Sequence, residues 1–273
     1  MDSPHMGGKS NHSRKDPMGM DRPRMDWTQQ RPGPSRRTEK GHKMKHKLNP
    51  IARAWPRISI TSKLDGIRSW SLQALDTCPG SVESPGVLVD ACKGCYATTG
   101  NYVFANVKAP REYNRTDWQR LEWTDNMVQE IELDRYFRWL DSGDLFSLAL
   151  AEKVLEVMQR TPWCMHWLPT RMHKFPKFRM VLEQMKALPN VSVRYSADTV
   201  TGEYIEGLHG SVIGPSADTY QDRPGASLCR AYEHDGKCSG CRACWDKSID
   251  LIAYPAHGRK MAKVIFMKQE QTA

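Results

Sequence analysis

Residues 136–171 read YFRWLDSGDLFSLALAEKVLEVMQRTPWCMHWLPTR, and the order of elements in this stretch decides the fold. Tyr136–Leu140 is an apolar run of strand length, followed by the turn residues Ser142-Gly143-Asp144 and a helical stretch from Ser147 to Arg160. Cys164–Leu168 is a second strand, closed by Thr170-Arg171. Moving outward, a helix is expected over Lys177–Leu188 and a strand over Val191–Tyr195, followed by Ser196-Ala197-Asp198. A last strand over Ser211–Ile213 precedes Ser216-Ala217-Asp218. Upstream, Ile58–Thr61, Trp70–Leu75 and Val87–Val89 read as short strands, and Thr116 with Gln119 as the capping box of a helix running to Leu133.

Strands alternating with helices describe consecutive βαβ units and a parallel sheet. The expected class is therefore α/β, a full or partial (β/α) barrel rather than an open doubly wound sheet, with a cysteine-rich C-terminal metal-binding segment. Asp144, Arg171, Asp198 and Asp218 each follow a predicted strand within a few residues. In a parallel barrel that edge faces the active site, which makes Asp144, Arg171 and Asp198 candidate catalytic residues. Any one of them alone reads equally as a turn or cap residue. No glycine-rich dinucleotide fingerprint follows a strand.

Seven of the 8 cysteines fall into two groups. Cys229 precedes Cys238, Cys241 and Cys244, the last three at two-residue gaps. Such a run wraps one cluster from a single turn, with the remote thiol as the fourth ligand, so it reads first as a 4Fe–4S site and second as zinc. Cys78 precedes Cys92-Lys93-Gly94-Cys95-Tyr96, in which Gly94 is expected to permit the bend. Three thiolates suit a 4Fe–4S cluster with one open iron, able to take the amino and carboxylate groups of S-adenosylmethionine; the alternative is a structural zinc. Cys164 reads as a buried strand residue.

The formal charge is +9, carried entirely by residues 1–57, which hold 14 Lys and Arg against 5 Asp and Glu. This basic leader has too few apolar residues for a core and is expected to be disordered. It either grips nucleic acid phosphates or serves as a solvating tail. A barrel-like domain over residues 58–225 and a cysteine-rich segment over 226–273 follow. No run of eighteen apolar residues offers a membrane span. With no apolar secretory segment at the N-terminus, the expected location is the cytoplasm, where thiols stay reduced and serve metals.

The stretch from Ser59 to Lys260 resembles the phage "gene product 88" family. The resemblance rests on Thr77-Cys78-Pro79-Gly80, Cys92–Ala97, Ser142-Gly143-Asp144, Thr170-Arg171, Ser196-Ala197-Asp198 and the final cysteine run ending at Trp245. It implies a protein of the host cell cytoplasm. The front half is also similar to radical S-adenosylmethionine enzymes, whose cysteine pair precedes an aromatic as Cys92 and Cys95 precede Tyr96; their first gap is three residues, against thirteen here. That similarity implies S-adenosylmethionine positioned by Ser142, Gly143 and Ser196, an auxiliary cluster at the C-terminal quartet, and an electron donor. The expected activity is a radical iron–sulfur enzyme acting on a nucleic acid or nucleotide. The competing expectation is a non-catalytic, metal-stapled nucleic-acid-binding protein.

Overall fold

The computed structural model describes residues 54–205, 208–216, 218–220 and 223–272. Ten strands and six α-helices follow in the order β1 (Ile58–Ile60), β2 (Arg68–Trp70), β3 (Val82–Ser84), β4 (Val87–Leu88), α1 (Asp90–Lys93), α2 (Ala105–Asp117), α3 (Trp123–Glu130) and β5 (Tyr136–Trp139). Then come α4 (Leu148–Arg160), β6 (Met165–Thr170), α5 (Arg179–Ala187), β7 (Val191–Ser196), β8 (Gly210–Gly214), β9 (Ala226–Leu228), β10 (Leu251–Pro255) and α6 (Arg259–Thr272).

Eight strands form one sheet in the order β1-β2-β5-β6-β7-β8-β10-β9, and β3 pairs with β4 in a separate hairpin. Only β1 is antiparallel to its neighbour; the other six pairings of the large sheet are parallel. From β2 to β8 spatial order follows chain order, as in consecutive parallel crossover units. α3 packs on α4, and α4 on α5. Among the described residues β9 and β1 share no ladder, so the sheet is open and no full barrel closes.

Alternation along the strands builds two different faces. Phe137, Trp139, His166, Leu168, Val191, Val193 and Tyr195 are buried, and the apolar members join one core with Leu150, Val154, Val157 and Met158 of α4 and Val181 and Leu182 of α5. The intervening residues, Arg138, Trp167, Ser192 and Arg194, are buried as well. Their face carries no connecting helix. It is covered by the C-terminal segment, where Trp245 packs with Trp167 and Leu64 and donates its indole N–H to Phe137 O at 3.0 Å.

The expected strands and helices between residues 136 and 196 are present. Three expectations are corrected. Thr116 lies in the last turn of a helix, not at the start of one, because α2 runs through Pro110 and the chain re-enters helix at Trp123. Ser211–Ile213 is not the last strand: the C-terminal segment adds β9 and β10 to the same sheet. The leader reading falls mostly on residues outside those described, but 54–57 belong to the fold: Pro56 is buried, Trp55 bonds Glu130, and Arg57 N donates to Asn114 Oδ1.

Candidate metal centres

The Cys78 loop is clamped to the ends of β5 and β6. Asp144 N donates to Thr77 O at 2.9 Å, and Ser81 donates to Cys78 O through both its amide and its hydroxyl. Gly143 sits at φ +81°, and a Cβ there would lie 2.5 Å from Leu72 Cβ and 2.7 Å from Thr77 Oγ1. Gly80 lies against Arg171, where a Cβ would be 2.5 Å from the arginine's own. Leu75 and Leu140 hold left-handed φ values of 69° and 59°, a conformation that costs an ordinary residue about 1–2 kcal/mol. They flank this clamp.

The second arm of the group reaches the end of β7. In α1, Ala91 N donates to Asp198 O at 2.9 Å, and Cys95 N to Cys92 O at 3.2 Å. Cys92 is buried, and Cys78 and Cys95 are half-buried. Burial and the neighbouring Asp144, then Cys92 and Cys95, push the Cys78 thiol up to about 12. Burial also raises Cys92 and Cys95, while Arg171 pulls both the other way. Both segments are thus tied to the C-terminal ends of the parallel strands, Thr77 through Asp144 after β5 and Ala91 through Asp198 after β7. Gly94 serves not a bend but a contact: its φ is −94°, and a Cβ would meet Met261 Cε of α6 at 2.7 Å.

The polar residues at these strand ends hold the clamp. Asp144 is buried; it accepts from Thr170 Oγ1 (2.7 Å) and Leu145 N (2.8 Å) on one oxygen and from Arg171 N (2.8 Å) on the other. Burial raises its carboxyl against those bonds. Ser142 Oγ donates to Leu72 O and accepts from Arg111 Nε. Ser142, Gly143 and Asp144 are thus engaged in packing within the protein. Arg171 and Lys174 are the cations at this edge. They bracket Asp198 at 3.1 and 2.6 Å, and Lys174 also reaches Gly80 O at 3.2 Å. Ser196 is half-buried, and its Oγ receives a long 3.5 Å hydrogen bond from Ser211 Oγ. His173 stacks on Tyr195 with centroids 4.5 Å apart.

Behind this edge lies a buried network of residues that were not expected. Asp141 pairs with Arg138 at 2.7 Å and Arg111 at 3.5 Å and accepts from the Tyr102 hydroxyl. Tyr96 donates to Asp141 O at 2.6 Å and accepts from Arg138 at 3.3 Å. The Tyr96 side chain is partly exposed, yet its hydroxyl end lies inside, and burial pushes it up to about 12. The signal for this network is an arginine inside the apolar run Tyr136–Leu140.

The C-terminal quartet is assembled from three elements. Cys229 N donates to Ala253 O at 2.8 Å, Cys238 N to Lys63 O at 2.8 Å, and Cys241 N to Cys238 O at 2.9 Å. Cys244 Sγ lies 3.4 Å from the Tyr254 hydroxyl of β10. The Asp65 carboxylate receives Gly240 N at 2.9 Å and Ser239 N at 3.2 Å, fixing the turn between Cys238 and Cys241. Burial raises Cys238, with Cys229 the next cause, and burial pushes Cys244 up to about 11. Cys164, by contrast, is fully buried in the helix-side core, its thiol 3.8 Å from Met165 O.

Among the described residues no three His, Cys, Asp or Glu side chains close a ready coordination shell. The donor chemistry, thiols alone, is that of iron–sulfur and zinc sites, and the segments that carry these thiols have backbones fixed by hydrogen bonds. Neutral thiols of this kind would release protons on binding metal.

These features define a class: an α/β protein with a singly wound, mostly parallel sheet, one cysteine group at its strand ends and a second on the segment that covers one face. A family model, Gene product 88, matches residues 34–260. The chain belongs to that phage family. No curated protein and no solved structure matches it. Among the described residues no helix is long and apolar enough to cross a membrane.

Proposed function

We propose that this protein is an iron–sulfur enzyme of the radical S-adenosylmethionine kind, built on a partial (β/α) barrel. One observation supports the reading: the Cys78 loop is bonded to Asp144 N and the segment before Cys92 to Asp198 O, both at the C-terminal ends of parallel strands that run in chain order. Cys78, Cys92 and Cys95 would hold a 4Fe–4S cluster with an open iron, and Cys229, Cys238, Cys241 and Cys244 a saturated one. When bound, the first cluster supplies one-electron chemistry to S-adenosylmethionine, with the electron coming from an external donor. Arg171 and Lys174 offer positive charge beside that edge, and Ser196 offers a hydroxyl. Asp144 and Asp198 act as positioning residues that fix Arg171. The charge of residues 1–57 supports a nucleic acid or nucleotide as substrate.

A second reading is favoured by the packing of Ser142, Gly143 and Asp144, which leaves fewer groups for a cofactor: a metal-stapled, non-catalytic nucleic-acid-binding protein. Anaerobic purification separates the two. The first predicts a brown protein with iron and sulfide that yields 5′-deoxyadenosine from S-adenosylmethionine and reductant. A colourless protein with zinc removes the enzyme reading, and a brown one without that product leaves only the cluster.

A further inference from the structure

Arg194 stands in the middle of β7, in the run Val191–Ser196, and is 0% exposed. Its guanidinium donates to four backbone carbonyls of one loop: Cys244 O (2.9 Å), Ile249 O (2.9 Å), Ala243 O (3.0 Å) and Asp246 O (2.6 Å). Among the described residues no carboxylate lies within ion-pair distance of it. Asp246, in the loop, and Asp250, just after it, act on Arg194 only at longer range, and their carboxylates bond other groups: Asp246 accepts from Ser248, and Asp250 faces His209 at 3.4 Å. Burying a cation without a counter-charge in contact is unfavourable, and carbonyl dipoles with distant carboxylates offset only part of that cost. The loop it holds carries Cys244 and lies against Cys238.

We infer that Arg194 is the built-in counter-cation of an anionic metal–tetrathiolate centre formed by Cys229, Cys238, Cys241 and Cys244. The inference rests on the reading that this quartet binds metal. A tetrathiolate centre of iron–sulfur or zinc type carries net negative charge, so a fixed cation beneath it stabilises the metal-bound form and, for iron, the reduced state most. Arg138, on the same face, is no substitute, because Asp141 already neutralises it at 2.7 Å. Arg194 is therefore a positioning and charge-setting residue, not a ligand.

The test uses the full chain purified anaerobically, in wild-type form and as Arg194→Lys, Arg194→Met and the pair Cys238→Ser/Cys241→Ser. The cysteine pair comes first: unchanged metal content there would sink the quartet reading itself, separately from the role of Arg194. With the quartet's metal established, Arg194→Met should speed its loss to a chelator by about 10- to 100-fold. For an iron centre it should also move the midpoint potential to more negative values. Arg194→Lys, which keeps the charge but not the four-carbonyl fork, should hold the potential near wild type. Melting of each variant with and without metal covers the case in which Arg194→Met folds poorly. The methionine should then destabilise the metal-bound protein more than the cysteine-pair variant, where the cation has nothing to balance. Equal penalties in both backgrounds, or a potential that lysine and methionine leave alike, would show that Arg194 only fastens the loop.

Discussion

Around Cys78, Cys92 and Cys95 the protein sets charges in pairs, whereas against the Cys244 loop it buries one cation that, among the described residues, has no carboxylate within ion-pair distance. At the first group Asp198 is bracketed by Arg171 and Lys174, and Asp141 by Arg138 and Arg111. At the second, the hydrogen bonds of Arg194 among the described residues go to four carbonyls, and Cys238 and Cys244 pack against Trp167, Trp245 and Leu64. The first is a clasp of loops over strand ends, partly open to solvent. The second is a plug whose removal uncovers the helix-free face. Disturbing the second should therefore threaten the fold, while disturbing the first should act mainly on chemistry.

The largest expected effect follows from the plug. Trp245 is 2% exposed, stacks edge-on to Trp167 with centroids 5.1 Å apart and donates to Phe137 O. Trp245→Ala should destabilise the protein by about 3–5 kcal/mol, in the range of buried aromatic truncations. Denaturant melts check it, and metal analysis should show quartet metal lost before that of the first group. A loss below about 1 kcal/mol would mean the segment is an appendage.

A second prediction concerns the frame that both groups share. His166 is fully buried, its Nδ1 accepting from Trp139 Nε1 at 3.1 Å and its Nε2 lying 2.9 Å from Thr161 Oγ1, whose own proton goes to Val157 O. Nε2 therefore carries the hydrogen. Burial pushes the imidazole down to about 3 from an ordinary 6.5. Between those values the unfolded chain takes up a proton that the folded one refuses. Stability is thus intact above pH 6.5 and falls with acidity, by roughly 1 kcal/mol per pH unit, until about pH 3. Urea melts across that window should show the slope, and His166→Asn should flatten it.

Third is the buried anchor of the clasp. Asp144→Ala would leave the Arg171 amide and the Thr170 hydroxyl without their partner, costing about 1–3 kcal/mol. Melting and metal content read together should show a moderate stability loss with metal lost from the first group alone. Loss from both groups would break the distinction between clasp and plug.

Much of this frame was legible because local pattern and tertiary role agree. Ser147–Arg160 has apolar spacing that matches the face α4 buries, and β5, β6 and β7 are apolar runs bounded by turn residues. Where the two diverge, reading the sequence fails. Pro110 disguises α2, because proline's penalty in a helix hides a segment that tertiary packing nonetheless holds helical. Residues 251–254 are a short apolar run of strand length, but nothing local to them shows that they insert between β8 and β9, so their place in the sheet depends on pairing with other segments. At the site, thiol spacing announced both groups. The roles of Ser142, Gly143 and Asp144 depended on contacts with Leu72, Thr77 and Arg171, which no spacing encodes. Arg138 and Arg194 were visible as charges inside apolar strands, an arrangement that almost always signals a buried partner.

The smallest expected effect is the most telling for the clasp. The Asp198 side chain is 36% exposed, so its ion pairs with Arg171 and Lys174 are screened by water and salt. Asp198→Asn keeps the backbone carbonyl that receives Ala91 N, so α1 keeps its tie to β7. The stability change should fall within about 1 kcal/mol and shrink further at high ionic strength. Melts at low and high salt measure it directly. What the substitution does change is local charge, since Arg171 and Lys174 lose the carboxylate that neutralises them and become freer to meet an anionic ligand. A large, salt-independent loss would mean that the first group is fused to the frame as firmly as the second, and the contrast between an open clasp and a buried plug would fail.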